Sequence, residues 1–158
     1  MKAPRSLQFI ENIYAIFRGL ANSLQSPLLL AVRLYWGWQF AQNGWAKLHH
    51  LAKVTEYFVS LGVPMAAFNA PFVSVVEFAG GILLMLGLFS RPVGLVLTID
   101  MCVAYCTADR DALHAIFRDP GTFYTADPFT FLFASLLILT FGAGLFSVDQ
   151  WMGESLIR

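Results

Sequence analysis

Polar and apolar positions fall along this chain in long blocks. Four apolar stretches approach the about 20 residues that a spanning helix needs. They run over 27–48, 71–89, 92–108 and 128–148, and each opens on a proline. Proline suits a first helical turn, where its missing N–H would be unpaired anyway. No stretch alternates with period two, so the pattern predicts helices and no barrel. The expected fold is all-α: a four-helix transmembrane bundle. The third stretch is short and is expected to tilt little or to start in the headgroup region.

Smaller pieces flank these stretches. "SLQFIENIYAIFRGLANSL" (6–24) places Phe9, Ile10, Ile13, Tyr14, Phe17, Leu20 and Leu24 on one helical face, with Glu11, Arg18 and Asn22 off it. That pattern predicts an amphipathic helix lying in the membrane interface. A short helix stopped by Gly62 and Pro64 is expected between the first two spans, and another, ending near Asp119-Pro120, between the last two. The chain therefore divides into an interfacial segment (1–26), a membrane domain (27–150) and a C-terminal tail (151–158).

Composition strengthens this picture. Apolar residues are 58% and charged residues 13%, against about 45–50% and about 25% in ordinary soluble domains. Mean hydropathy is +0.64. Net charge is zero, so there is no basic stripe for nucleic acid. The expected surroundings are membrane lipid and protein partner subunits or further copies of the chain. Four spans put both termini on one side. Lys2, Arg5, Arg18, Arg91 and Arg158 fall there, against Lys47, Lys53, Arg110 and Arg118 opposite. The positive-inside rule then favours cytoplasmic termini.

Charges inside the spans point to chemistry. Within "VVEFAGGILLMLGLF" (75–89) every residue but Glu77 is apolar or glycine. Arg33 and Asp100 also fall inside spans, and Lys47 sits near the end of one. Burying a charge at the bilayer centre costs about 2.5–3.5 kcal/mol on insertion scales, so such groups face the bundle interior and pair. On the first span Arg33, Gly37, Phe40, Ala41, Gly44 and Lys47 share a face. On the second Glu77, Gly80, Gly81, Leu84 and Gly87 do. Small residues let membrane helices approach closely. Depth along the spans predicts Lys47 with Glu77 and Arg33 with Asp100. These four are the candidate site residues, either as ion pairs that fix helix register or as the polar groups of a cavity for a proton, a quinone or a small substrate.

Other residue types carry weaker signals. Cys102 and Cys106 are four apart on the third span, read as buried small hydrophobes. His49, His50 and His114 lie in loops on one side, near several carboxylates, and are candidate metal ligands, although their spacing matches no standard motif. Trp36 and Trp38 are candidates to flank a flat ring such as a quinone. Gly80-Gly81 belongs to a helix seam and opens no nucleotide loop.

The chain resembles the DoxX family of small four-helix membrane proteins over 28–150. The resemblance rests on Arg33 with "GWAKL" (44–48), "LGVP" (61–64), "EFAGGILLMLGLFSRP" (77–92) and "GAGLFSVD" (142–149), in that order. It implies a multi-pass protein of the bacterial inner membrane, with Arg33, Lys47, Glu77 and Arg91 as family-pattern polar residues that have no assigned catalytic role. Relatives include subunits of membrane oxidoreductase assemblies. The leading expectation is thus a redox-assembly subunit coupled to protons or quinone. The rivals are a non-catalytic anchor or assembly factor, and a metal-handling protein using the loop histidines.

Overall fold

Proline 27 does not break the first helix. A computed structural model describes the backbone of residues 5–156 and the side chains of 11–153, and in it α1 runs unbroken over Arg5–His49. The helices that follow are α2 (Leu51–Ser60), α3 (Ala66–Leu86), α4 (Ser90–Thr107), α5 (Arg110–Ala115), α6 (Pro120–Thr125), α7 (Pro128–Phe141) and α8 (Val148–Leu156). Among the described residues there is no strand, as the absence of period-two alternation predicts.

The prolines divide into two kinds. Pro92 and Pro128 lie in the first turns of α4 and α7, as expected. Pro27 and Pro71 lie inside their helices. A proline deletes one backbone hydrogen bond, but no glycine stop precedes either residue, so the flanking helix continues through. Consequently α3 starts five residues before Pro71, and the expected interfacial helix is continuous with the first apolar stretch. From 11 to 25 every residue of α1 is exposed, including Ile13, Tyr14, Phe17, Leu20 and Leu24. Phe9 and Ile10 of the same face lie outside the described side chains, and Lys2 and Arg158 of the charge count lie outside the described residues.

The fourth stretch is shorter than expected. It stops at Phe141, because Gly142 takes a positive-φ conformation (φ +78) that turns the chain out of the helix. Residues 142–147 are irregular before α8 begins. As expected, α2 ends at Ser60, just before Gly62. The single helix expected to end near Asp119-Pro120 is instead two: α5 stops at Ala115, and α6 starts at Pro120, which suits a first helical turn.

Helices α1, α3, α4 and α7 pack around one core. Leu29, Val32 and Phe40 of α1 meet Leu84 of α3, Val93, Leu97 and Met101 of α4, and Ala134 and Ile138 of α7. The Phe40 and Phe131 rings pack edge to face at 4.7 Å, joining α1 to α7. The most extensive contacts are α1 with α3 and α4 with α7. Each pair is antiparallel: Gly37 lies beside Gly81 and Gly44 beside Ser74 and Phe78, while Gly94 lies beside Ser135 and Leu139.

By length and composition alone, α3 is the helix among the described residues long and apolar enough to cross a membrane, and α7 is apolar but shorter. The α4 helix carries Arg91 and Asp100 among its 18 residues. The apolar half of α1 carries Arg33, and α1 as a whole is about 67 Å long at about 1.5 Å per residue, more than twice a hydrocarbon core of about 30 Å.

Candidate functional site

The α1–α3 seam is built from small residues. A Cβ on Gly81 would stand 2.5 Å from both Ala41 N and Gly37 O, and one on Gly37 would stand 2.8 Å from Gly81 O. Gly44 is equally tight against Phe78 and Ser74. Two backbones in contact leave no room for side chains between them, so the longer groups reach across at the ends of the seam. The two small-residue stripes of the sequence are thus the two faces of this contact.

At one end Lys47 meets Glu77, as expected. Nζ donates to Oε1 at 2.5 Å. The Glu77 side chain is 4% exposed and that of Lys47 34%, so the ammonium snorkels toward the surface while the carboxylate stays inside. Glu77 Oε2 is buried and has no hydrogen-bond partner. Asp100 lies within electrostatic reach of both Glu77 and Lys47. Its Oδ2 is likewise buried without a hydrogen-bond partner.

The expected Arg33–Asp100 pair does not form. Arg33 lies against Gly87, at the turn between α3 and α4. Asp100 stands ten residues along α4 from its start, about 15 Å further at about 1.5 Å per residue. Arg33 is fully buried and donates from Nη2 to the Phe146 carbonyl. The opposite charge within its electrostatic reach is Asp149. Asp149 also accepts from Phe89 N at 2.7 Å and Ser90 N at 2.8 Å, placing a carboxylate at the N-terminus of α4, where the helix dipole favours it. Its own N–H donates to Gly87 O at 2.9 Å. Leu145 N donates to Ser26 Oγ at 3.2 Å. The irregular 142–147 segment therefore folds back over α1 and the α3–α4 turn, and carries Arg33's partners with it.

Two results of this geometry lay outside the sequence reading. One is Asp149 as the partner of Arg33. The other is Asp100 beside Glu77. A signal for the second exists in the sequence: Glu77 lies ten residues before Gly87, and Asp100 ten residues after Ser90. In an antiparallel pair joined by that turn, the two carboxylates come level.

The remaining candidates disperse. Trp36 packs against the core, whereas Trp38 is exposed. Two positions apart on a helix means roughly 200° of rotation, so the two indoles cannot clamp one ring. His49 donates from Nδ1 to Trp45 O at 2.9 Å and packs on the Trp45 ring. His50 precedes α2 and His114 is exposed on α5. Among the described residues no three His, Cys, Asp or Glu side chains converge on a metal-sized site. Cys102 and Cys106 are free and exposed, not buried as expected. Tyr105 ties the long loop down: its hydroxyl donates to Phe123 O at 2.8 Å, and its ring stacks on Phe123. Asp109 follows, outside the helix, and partial burial and then the Asp127 charge push its carboxyl above the ordinary range.

A groove of about 290 Å³ opens between α3 and α4, lined by Val75, Val76, Ala79, Gly80, Leu83, Pro92, Val93, Val96 and Leu97. Its lining is wholly apolar. It suits a hydrocarbon chain and offers no polar group to a quinone head.

Comparison with protein families matches DoxX over residues 28–110, more than half of the 158-residue chain. The chain belongs to the DoxX family. The matched range includes Arg33, Lys47, Glu77, Arg91 and Asp100, while the 142–149 segment lies beyond it. No curated protein and no solved structure matched the chain.

Proposed function

We propose that this DoxX-family chain is an integral membrane subunit of a redox assembly, coupled to proton movement through Lys47 and Glu77. In this reading the apolar half of α1 with α3, α4 and α7 crosses a bacterial inner membrane as a four-helix bundle, with both termini cytoplasmic. The observation that carries it is the Glu77 carboxylate. It is held by Lys47 on one oxygen and left without a hydrogen-bond partner on the other, in the interior of an otherwise uncharged helix. Intramembrane ionisable groups that face the bundle interior are functional by default.

A quinone does not fit this chain alone. The Trp36 and Trp38 rings point apart, and the α3–α4 groove has no polar lining. Quinone chemistry in the assembly would belong to a partner or to a partner interface.

The test is Glu77→Gln in cells. Unchanged protein in the membrane with electron transfer by the assembly abolished supports the reading. Full electron transfer in that variant refutes it. The rival, a non-catalytic anchor or assembly factor, draws on the exposed apolar face of α1 from Ile13 to Leu24. It expects Glu77→Gln to act through loss of the folded chain alone.

A further inference from the structure

At mid-height of α3 and α4, Lys47 from α1 pairs with Glu77 from α3, and Asp100 from α4 lies within electrostatic reach of both. Fully ionised, they carry one net negative charge. Glu77 is 3% exposed, and Oε2 of Glu77 and Oδ2 of Asp100 are both buried without a hydrogen-bond partner. Among the described residues nothing else packed around them supplies a compensating charge. The α7 sequence, PFTFLFASLLILTF, has no titratable side chain. On α2, Lys53 and Glu56 are exposed. His49 is exposed and engaged with Trp45. Tyr105 bonds the Phe123 carbonyl, and Cys102 and Cys106 face outward. Arg33 is committed to the far end of the seam.

From this arrangement we infer that Glu77 and Asp100 together form a proton-binding site, holding one exchangeable proton against the fixed ammonium of Lys47. Two carboxylates that share a low-dielectric site cannot both ionise cheaply. One proton brings the triad to zero charge and turns one unpartnered acceptor oxygen into a donor. Uptake is H⁺ plus carboxylate to carboxylic acid, and release is the reverse. No electron or co-reactant is needed. Because the two acids interact, the proton belongs to the pair and not to either residue. The inference rests on the reading that these helices lie in a bilayer, and it deepens it by naming the proton as the ligand and Asp100 as its second holder.

The test is infrared difference spectroscopy of the full chain in lipid nanodiscs, titrated with acid and base in H₂O and D₂O. One protonated carboxyl C=O band, present at neutral pH and shifted in D₂O, is expected from the unaltered chain. The band should vanish in Asp100→Asn, because Glu77 then ionises against Lys47, and in Glu77→Gln for the mirror reason. It should persist, displaced, in Asp100→Glu. Absence of the band from the unaltered chain, or its survival in either Asp100→Asn or Glu77→Gln, overturns the inference. If Asp100→Asn does not fold, the Asp100→Glu and Glu77→Asp displacements decide, and an unmoved band in both is a refutation. This outcome is separate from the redox reading, which fails on electron transfer in Glu77→Gln whatever the infrared band shows.

Discussion

Lys47 Nζ and Glu77 Oε1 stand 2.5 Å apart across a seam in which the α1 and α3 backbones touch. The glycines and the ion pair depend on each other. Without Gly37, Gly44 and Gly81 the helices would stand further apart, and the lysine would not reach. Without the lysine, the glutamate would be an uncompensated charge in an apolar helix.

Removing one partner of a buried ion pair costs about 3–5 kcal/mol, and the partial exposure of Lys47 moves the expectation to the lower end of that range. Lys47→Met is therefore expected to lower the unfolding midpoint in detergent. Adding Glu77→Gln to the same chain should recover part of the loss, with a coupling energy in the range of about 0.5–3 kcal/mol. Additive losses in the double-mutant cycle would mean that the two groups do not interact.

The seam itself is testable with one methyl group. Gly81→Ala places a Cβ 2.5 Å from Ala41 N and Gly37 O, against backbone that cannot rotate away. Overpacking of this kind costs about 1–3 kcal/mol. Gly19→Ala is the control: a Cβ there meets nothing within 4 Å, and alanine should raise helix stability by about 0.5–1 kcal/mol. Thermal unfolding of the two variants should move in opposite directions.

Asp149 has two tasks, and two substitutions separate them. Asp149→Ala loses both acceptors at the α4 N-terminus, a cap worth about 0.5–2 kcal/mol, and also the charge that faces buried Arg33. Asp149→Asn keeps one acceptor oxygen and loses the charge. Denaturation should rank the unaltered chain above Asn and Asn above Ala. Equal loss in the two variants would assign the whole effect to the Arg33 pairing.

Outside the helices, Asp109 supplies a pH dependence. Its carboxyl titrates above the ordinary range, chiefly through partial burial and then through Asp127. Between the unfolded and folded values the folded chain binds more protons, so stability falls as pH rises through that window. Asp127→Asn is expected to reduce that fall, seen as a smaller drop in thermal midpoint between acidic and neutral pH. Identical pH profiles would show that Asp127 does not act on Asp109.

How much of this was legible in the residues varies with range. Pro92, Pro128 and Gly62 mark helix ends correctly because they act on their own backbone. Pro27 and Pro71 mislead because a proline weakens a helix without ending it when the neighbours still favour one. Glu77 with Lys47 was readable, since both lie on faces already marked by small residues and depth along the two antiparallel spans brings them to one end. Arg33 was not, because its partners Phe146 and Asp149 lie more than a hundred residues away and arrive only when the chain turns at Gly142.

The sequence by itself therefore determined an all-α chain, the near-uniform apolarity of α3 and α7, the small-residue faces, and which charges would be buried. These follow from local spacing and composition, which need no knowledge of distant parts. The tertiary structure alone decided that Arg33 belongs with the returning 142–149 segment, that Asp100 stands level with Glu77, and that Trp36 and Trp38 face apart. Those facts depend on where helices begin and on how far each runs before it turns. Arg33 beside the α3–α4 turn and Asp100 ten residues along α4 end about 15 Å apart at about 1.5 Å per residue, enough to exchange one ionic partner for another.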